Sequence, residues 1–168
     1  MDEGQPAVEH DNYRDAYIRE ILGEVKTIAM VGASPNWNRP SFFAMKYLQQ
    51  KGYRVIPVNP VAHGQTILGE PVYKSLADIE EKIDMVDVFR KSEECVGYAE
   101  EAVRIGAKVL WLQLGVRNDE AARIAEEAGL KVVMNRCPKI EYARLSGELG
   151  WNGINSGVIS SKRRKIGP

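Results

Sequence analysis

Residues 27–34 of the chain have the sequence TIAMVGAS, in which an apolar run leads directly into a glycine and two small residues. The apolar run does not alternate with polar residues, which is typical of a strand buried on both faces of a parallel sheet. Similar short runs rich in β-branched residues occur at Arg54–Val58, Met85–Phe89, Val109–Leu112 and Lys131–Met134. We therefore predict five strands that lie side by side in the core.

Segments with helical spacing separate these strands. In Asn118–Ala128 the apolar residues recur at positions i, i+3, i+4 and i+7, as in an amphipathic helix. Further helices are predicted at Ser92–Ile105 and Ser41–Lys51, and one more, with Tyr17, Ile18, Ile21, Leu22 and Val25 on one side, precedes the first strand.

Short returns connect three of the helices to the next strand. Each return begins with a glycine, at Gly52, Gly106 and Gly129, which accepts the left-handed conformation that ends a helix. Repeated βα units with such returns predict a Rossmann-like α/β fold. We expect a doubly wound, mainly parallel sheet of five to six strands with helices on both faces.

The length of 168 residues favours one domain with a single core. We place this domain at residues 12–145, after a polar leader at 1–11 and before a C-terminal extension at 146–168 with a basic end. The segment Pro60–Ser75 departs from the βα pattern. It predicts an irregular crossover with a short edge strand at 72–73, followed by a small helix that Ser75 would cap.

Composition excludes several classes of protein. The 23 basic residues balance 23 acidic ones, so no overall charge draws the chain to nucleic acid or to an anionic membrane. No run approaches the ~18 apolar residues of a transmembrane helix, and the two cysteines, Cys95 and Cys137, do not make a disulfide scaffold. We expect a cytoplasmic protein without a nucleic-acid or membrane partner, in which a local site must hold any anionic ligand.

The loops that follow the strands carry the candidate site. They are longer than the returns and contain Gly, Ser, Asn, Pro and basic residues, and ligands of open α/β sheets bind at this edge. Gly32, Ala33 and Ser34 directly follow the first strand, and Pro40 suits the first turn of the next helix. Backbone N–H groups and a helix dipole would then form an anion site, although the same residues also suit a simple tight turn.

An ordinary nicotinamide site is disfavoured by two missing features. The dinucleotide fingerprint needs further glycines after the first, and an acidic residue at the end of the second strand to hold ribose hydroxyls. Gly32 is followed by no second glycine in this loop, and the second strand ends in Val58-Asn59-Pro60. A phosphate-bearing adenine nucleotide of another kind is the natural candidate.

Five motifs in this order and spacing resemble a known family. The motifs are Val31-Gly32-Ala33-Ser34, Pro57-Val58-Asn59-Pro60, Val86-Asp87-Val88-Phe89-Arg90, Trp111-Leu112-Gln113-Leu114-Gly115 and Met134-Asn135-Arg136-Cys137-Pro138. Over about Val25 to Leu145 the chain resembles the small stand-alone CoA-binding proteins, which are related in fold to the N-terminal domain of the succinyl-CoA synthetase α subunit.

The resemblance implies that coenzyme A lies across the strand ends. Phosphate would be held by Gly32, Ala33 and Ser34 with Arg39 as a mobile cation, and the adenosine part would be lined by Val58, Asn59 and Pro60. Phe89 and Arg90 would form the opposite wall, with Gln113, Leu114 and Gly115 near the pyrophosphate or pantetheine. The chain departs from the synthetase pattern at Val58, where a lysine is expected, and at Ala33-Ser34, which replaces Thr-Gly.

No catalytic or metal-binding constellation is recognisable in the sequence. His10 and His63 are the only histidines, Cys137 is interpreted as structural, and Arg90 and Arg136 are equally consistent with ordinary surface residues. We predict a non-catalytic CoA or acyl-CoA binding module, with a protein partner or a homo-oligomer as further options. The alternatives are an acyl-transfer or thioester enzyme that acts with a partner chain and, third, an NAD(P)-dependent oxidoreductase.

Overall fold

The computed structural model describes residues 8–147. Within that range the helices are α1 (Asp15–Glu24), α2 (Pro40–Gln50), α3 (Cys95–Arg104), α4 (Asp119–Glu127) and α5 (Pro138–Leu145). The strands are β1 (Thr27–Val31), β2 (Arg54–Val58), β3 (Thr66–Ile67), β4 (Glu70–Pro71), β5 (Met85–Val88), β6 (Val109–Leu112) and β7 (Lys131–Val133). Short 3-10 turns lie at Leu76–Asp78 and Ser92–Glu94. All five predicted strands are therefore present, with ends that differ by at most one residue.

The main sheet is parallel and has the order β2-β1-β5-β6-β7. Outside β2, Tyr73 forms a single parallel bridge to Val58, so the predicted edge strand at 72–73 is reduced to one residue pair. If Tyr73 is counted as a strand, the order is Tyr73-β2-β1-β5-β6-β7. This is the order of two βαβ halves that meet between β1 and β5. The predicted Rossmann-like fold is confirmed, and the order reverses at the gap between these two strands.

The crossover between β2 and β5 differs from the prediction in two details. It contains an antiparallel hairpin of β3 and β4, joined by Leu68 and Gly69, which both have positive φ angles. Ser75 precedes the 3-10 turn without capping it, because its hydroxyl donates a hydrogen bond of 3.0 Å to the Asp78 carboxylate instead.

Helices cover both faces of the sheet and create two apolar layers. Alternate residues of each strand face opposite layers: Met30 packs with α1, α2 and α5, whereas Ala29 packs with α3 and α4. Trp111 and Tyr142 are fully buried in the first layer. Both layers are continuous along the sheet, which holds the strand ends and their loops in fixed positions.

Tyrosine hydroxyls cover the outer edge of β7. The Tyr17 hydroxyl accepts a hydrogen bond from the Val132 N–H and donates one to the Val132 carbonyl, each at 2.9 Å. The Tyr13 hydroxyl accepts from the Met134 N–H at 2.8 Å and bonds the His10 ring at 2.6 Å. His10 belongs to the predicted polar leader, and in the structure it contacts the domain. The predicted C-terminal extension lies outside the described residues apart from 146–147.

Candidate ligand-binding site

The β1 loop and the β5 loop meet tightly at the point where the strand order reverses. Gly32 has a φ angle of +82°, and a Cβ there would lie 2.5 Å from the Phe89 carbonyl oxygen and 2.9 Å from Cδ of Arg90. The backbone of the β5 loop therefore already fills the space that a side chain at position 32 would need.

The α2 helix presents an uncapped N-terminus to this loop. Arg39 occupies the cap position without a capping side-chain bond, and Pro40 is the first helical residue. The α1, α3 and α5 helices also lack a side-chain cap, whereas the Asn118 side chain caps α4 by accepting a hydrogen bond from the Ala121 N–H at 2.9 Å. The positive end of α2 is therefore available to an anion at the predicted phosphate position.

Serine hydroxyls hold the loop between β1 and α2. The Ser34 N–H donates to the Ser41 hydroxyl at 3.0 Å, and the Asn36 N–H donates to the Ser34 hydroxyl at 3.1 Å. The Ser34 backbone is thus occupied, whereas its hydroxyl hydrogen has no acceptor within residues 8–147 and can donate to an anion. Arg39 is exposed and forms no ion pair within the described part of the chain, so its charge is available to such an anion.

The residues after β2 support the loop from the other side. The Asn59 side-chain N–H donates to the Ala33 carbonyl at 2.8 Å, and its side-chain oxygen accepts from the Val61 N–H at 2.9 Å. Val58 is only 3% exposed and its side chain packs in the core, so it reaches the site through its backbone. Pro60 is exposed beside them. Asn59 is therefore both a turn residue and a support for the predicted phosphate loop.

A cavity of about 450 Å³ opens on the β5 and β6 side. It is lined by Pro40, Phe89, Arg90, Lys91, Gln113, Leu114 and Val116. Arg90 donates to the Glu94 carboxylate at 3.0 Å, which raises the pKa of the Arg90 guanidinium and keeps its charge beside the cavity. Gln113 is 8% exposed, and its side-chain oxygen is buried without a hydrogen-bond partner among the described residues.

Gly115 shapes the turn at the end of the cavity. Its φ angle is +86°, and its N–H donates to the Asn135 side chain at 2.7 Å. Leu114, one residue earlier, is 59% exposed. The β6 loop therefore holds a buried amide and an exposed apolar side chain next to each other.

The second arginine singled out from the sequence lies away from this cavity. The Arg136 guanidinium is 5.2 Å from the centre of the Tyr13 ring and donates to the Asp11 carbonyl at 3.1 Å. Cys137 is half-buried at the start of α5. Within residues 8–147, no three His, Cys, Asp or Glu side chains come close enough together to hold a metal ion. None of the helices in that range is long and apolar enough to cross a membrane.

Comparison with known proteins decides the family. Residues 26–143, more than half of the chain, match the family described as "CoA binding domain". The chain belongs to this family. The match spans β1 to α5 and therefore includes every loop of the candidate site.

Two relatives differ in how much of their length matches this chain. The chain is 42% identical over 132 residues to the Bacillus subtilis protein YneT, covering 79% of this chain and 96% of that protein. It is 28% identical over 155 residues to acetate–CoA ligase (ADP-forming) I of Archaeoglobus fulgidus, covering 86% of this chain but only 22% of the ligase. The homologous region is thus almost the whole of one relative and a small part of the other.

A solved structure supports the same fold. A protein from Pyrococcus horikoshii OT3 is 45% identical and has a TM-score of 0.75, with 86% of this chain and 99% of that chain covered.

Three residues outside the predicted site set stand out in this CoA binding domain. Lys91 and Val116 lie in the predicted ligand-bearing loops and line the cavity, and their position there depends on how the β5 and β6 loops fold back. Asp87 was noticed only as part of a motif. It is fully buried between Met30 and Trp111, neither carboxylate oxygen has a partner within residues 8–147, and burial raises its pKa well above the ordinary range.

Proposed function

We propose that the chain binds CoA or acyl-CoA across the carboxyl ends of its strands and performs no chemistry of its own. The observation that carries the proposal is the uncapped N-terminus of α2, which faces the Gly32–Ser34 loop at the reversal of strand order. The Phe42 and Phe43 N–H groups already donate to the Arg39 carbonyl and Pro40 has no N–H, so the helix dipole and the Ser34 hydroxyl are the groups that would attract phosphate. The family supplies the ligand class, because its members are CoA binding domains.

In this proposal, each part of CoA meets a different loop. The adenosine part lies beside Asn59 and Pro60 after β2, and the phosphates lie at the α2 N-terminus with the Ser34 hydroxyl and Arg39. The pantetheine arm enters the cavity that Arg90 and Gln113 line. The order of these loops follows the strand order β2, β1, β5 and β6, so an extended ligand meets them in sequence.

The same contacts favour CoA over a nicotinamide dinucleotide. A carboxylate at the end of β2 would hold the ribose hydroxyls of NAD, and the chain has Val58 and Asn59 there. The Asn59 side chain is already bonded to the Ala33 carbonyl and the Val61 N–H. The β2 loop therefore has no carboxylate that could bind the ribose hydroxyls.

The side chains around the cavity are the reason for proposing that the chain catalyses no reaction. Its described lining consists of apolar side chains, two cations and the Gln113 amide, so it offers no carboxylate, imidazole, thiol or hydroxyl beside a thioester. A second candidate is an acyl-transfer or thioester enzyme completed by a partner chain. It is favoured by the Archaeoglobus relative, a ligase of which the homologous region is only 22%.

Calorimetric titration of the purified chain with CoA and with NAD tests the binding proposal. We expect CoA to bind more tightly, and Ser34→Asp to weaken CoA binding by about tenfold or more, because like charges at ~4 Å repel by several kcal/mol near a protein surface. The matched control is Asn12→Asp, which adds the same charge at an exposed position before α1. Equal binding of NAD, or an unchanged affinity of folded Ser34→Asp, would overturn the proposal.

A separate assay tests the absence of chemistry. Acyl-CoA incubated with the chain should be recovered unchanged by chromatography. Release of free CoA would show instead that the chain catalyses a reaction without a partner, and its loss in Cys137→Ser would identify the nucleophile.

A further inference from the structure

The cavity beside the β5 and β6 loops adjoins the predicted phosphate position. Pro40, the first residue of α2, lines the cavity and lies at the helix end that faces the β1 loop. Arg90 also lines the cavity, and its Cδ is 2.9 Å from where a Cβ on Gly32 would lie. A ligand with its phosphates at the α2 N-terminus therefore has the cavity directly beside it.

Gln113 brings an amide group to the wall of this cavity. The residue directly follows β6 and is 8% exposed. Its N–H donates to the Val88 carbonyl at 3.1 Å, and its backbone carbonyl accepts from the Val116 N–H at 2.8 Å. The backbone of Gln113 is therefore fixed from both sides, which keeps its side chain at one place in the cavity wall.

Neither end of the Gln113 amide has a hydrogen-bond partner among residues 8–147. The oxygen is enclosed by the protein, which costs free energy because a buried acceptor has lost its water. The nitrogen is not enclosed, so it is the end of the amide that an occupant of the cavity can reach. A buried amide without partners needs an explanation, and its place in a cavity wall indicates a role in binding.

The rest of the cavity lining fits one class of ligand. Its polar groups are hydrogen-bond donors, namely the Gln113 nitrogen and the cations of Arg90 and Lys91. Its other lining residues are apolar: Pro40, Phe89, Leu114 and Val116. An occupant should therefore present acceptor oxygens on a largely apolar body. The pantetheine arm of CoA has this composition, because it combines two amide carbonyls with methylene groups and a pair of methyl groups.

We infer that Gln113 selects the pantetheine arm, by donating a hydrogen bond from its side-chain nitrogen to an amide carbonyl of the arm. Adenosine 3′,5′-bisphosphate has a nucleotide like that of CoA but lacks the arm, so it makes no such contact. The chain should therefore bind CoA more tightly than the bisphosphate, and Gln113 should account for part of this preference. The inference rests on the proposed function, since it requires the phosphates to lie at the α2 N-terminus.

Gln113→Met tests the inference, because methionine keeps the unbranched shape of the side chain but has no amide. In calorimetric titrations of the full-length protein, the variant should bind CoA about fivefold more weakly through loss of one hydrogen bond, while its affinity for the bisphosphate stays within about twofold. The urea midpoint of the ligand-free variant should rise, because the enclosed oxygen is gone. The matched control is Gln50→Met, at an exposed position at the C-terminal end of α2, which should change neither affinity.

The outcomes separate the inference from the proposed function. If Gln113→Met weakens both ligands equally, or neither of them, Gln113 does not bind the arm and the inference is wrong, while the proposed function stands. If the wild-type chain binds neither ligand, the proposed function fails as well. In NMR spectra of the isotope-labelled wild-type protein, the side-chain N–H signals of Gln113 should shift with CoA and not with the bisphosphate. Unmoved signals at saturating CoA would overturn the inference even if Gln113→Met did not fold.

Discussion

Asp87 is expected to make the protein less stable as the pH rises, and Asp87→Asn should remove this dependence. The carboxyl group is fully buried in β5 and has no hydrogen-bond partner among residues 8–147, and this burial holds its pKa well above the ordinary range. The unfolded chain releases the proton near pH ~4, whereas the folded chain retains it. Between these two pKa values the folded state binds one proton more, and the free energy of unfolding falls by about 1.4 kcal/mol per pH unit.

Substitution by asparagine keeps the shape of the side chain but removes the titration. The buried amide also lacks a partner, so Asp87→Asn has a constant penalty at every pH, on the order of 1–3 kcal/mol. The stability of the variant relative to the wild type should therefore rise by about 1.4 kcal/mol per pH unit above pH ~4, until the native pKa is reached.

Urea unfolding followed by far-UV circular dichroism, in one-unit steps from about pH 4 to about pH 7, measures this difference. Asp119→Asn is the matched control, because the Asp119 side chain is 80% exposed. This variant removes an exposed charge and leaves the interior of the sheet unchanged. Parallel pH curves for wild type and Asp87→Asn would refute the reasoning, since they would mean that the Asp87 carboxyl ionises freely or has a partner in the folded protein.

Three further substitutions test contacts described above. In thermal unfolding, Gly32→Ala should destabilise the protein by at least ~2 kcal/mol, and it should also weaken CoA binding. The control Gly64→Ala has a φ of +88° and open space around the added Cβ, so it should destabilise the protein by only ~1 kcal/mol, from left-handed backbone strain. Asp84→Asn should lower the free energy of unfolding by about 1–3 kcal/mol at neutral pH. Burial acts to raise the pKa of Asp84, but two backbone N–H bonds outweigh it and hold the pKa below its usual value, so urea unfolding should show the difference vanish as the pH falls through that pKa. Tyr17→Phe should accelerate hydrogen exchange at the Val132 amide, which NMR detects, and unchanged protection would show that the hydroxyl does not close the β7 edge.

Most of the sheet could be predicted because its strands are buried on both faces. Short continuous apolar runs such as Thr27–Val31 are typical of that environment, and the glycines after the helices mark where the chain turns back to the next strand. The β3–β4 hairpin escaped prediction because two-residue strands are too short for any periodicity to show. Tyr73 contributes a single bridge, so its strand character depends on the neighbouring β2 rather than on its own sequence.

The candidate site was only partly predictable for a different reason. Loop position and residue type indicate where an anion can bind, and the structure places Phe89, Arg90, Gln113 and Leu114 around one cavity. The reasons for individual residues depend on contacts between distant parts of the chain. The need for glycine at position 32 comes from the Phe89 carbonyl, which local sequence around Gly32 does not reveal.

Backbone contacts on both sides of the β1 loop explain how its sequence can depart from the synthetase pattern. The Gly32 N–H donates to the Val58 carbonyl at 2.9 Å, and the Phe89 N–H donates to the Val31 carbonyl at 2.8 Å. The Asn59 side chain fixes the Ala33 carbonyl from the β2 side. A loop held in this way is already ordered before a ligand arrives, so little binding free energy is spent on ordering it. In the function we propose, the α2 dipole and the Ser34 hydroxyl then attract the phosphate, and Ala33 and Ser34 can occupy positions where the synthetase has other small residues.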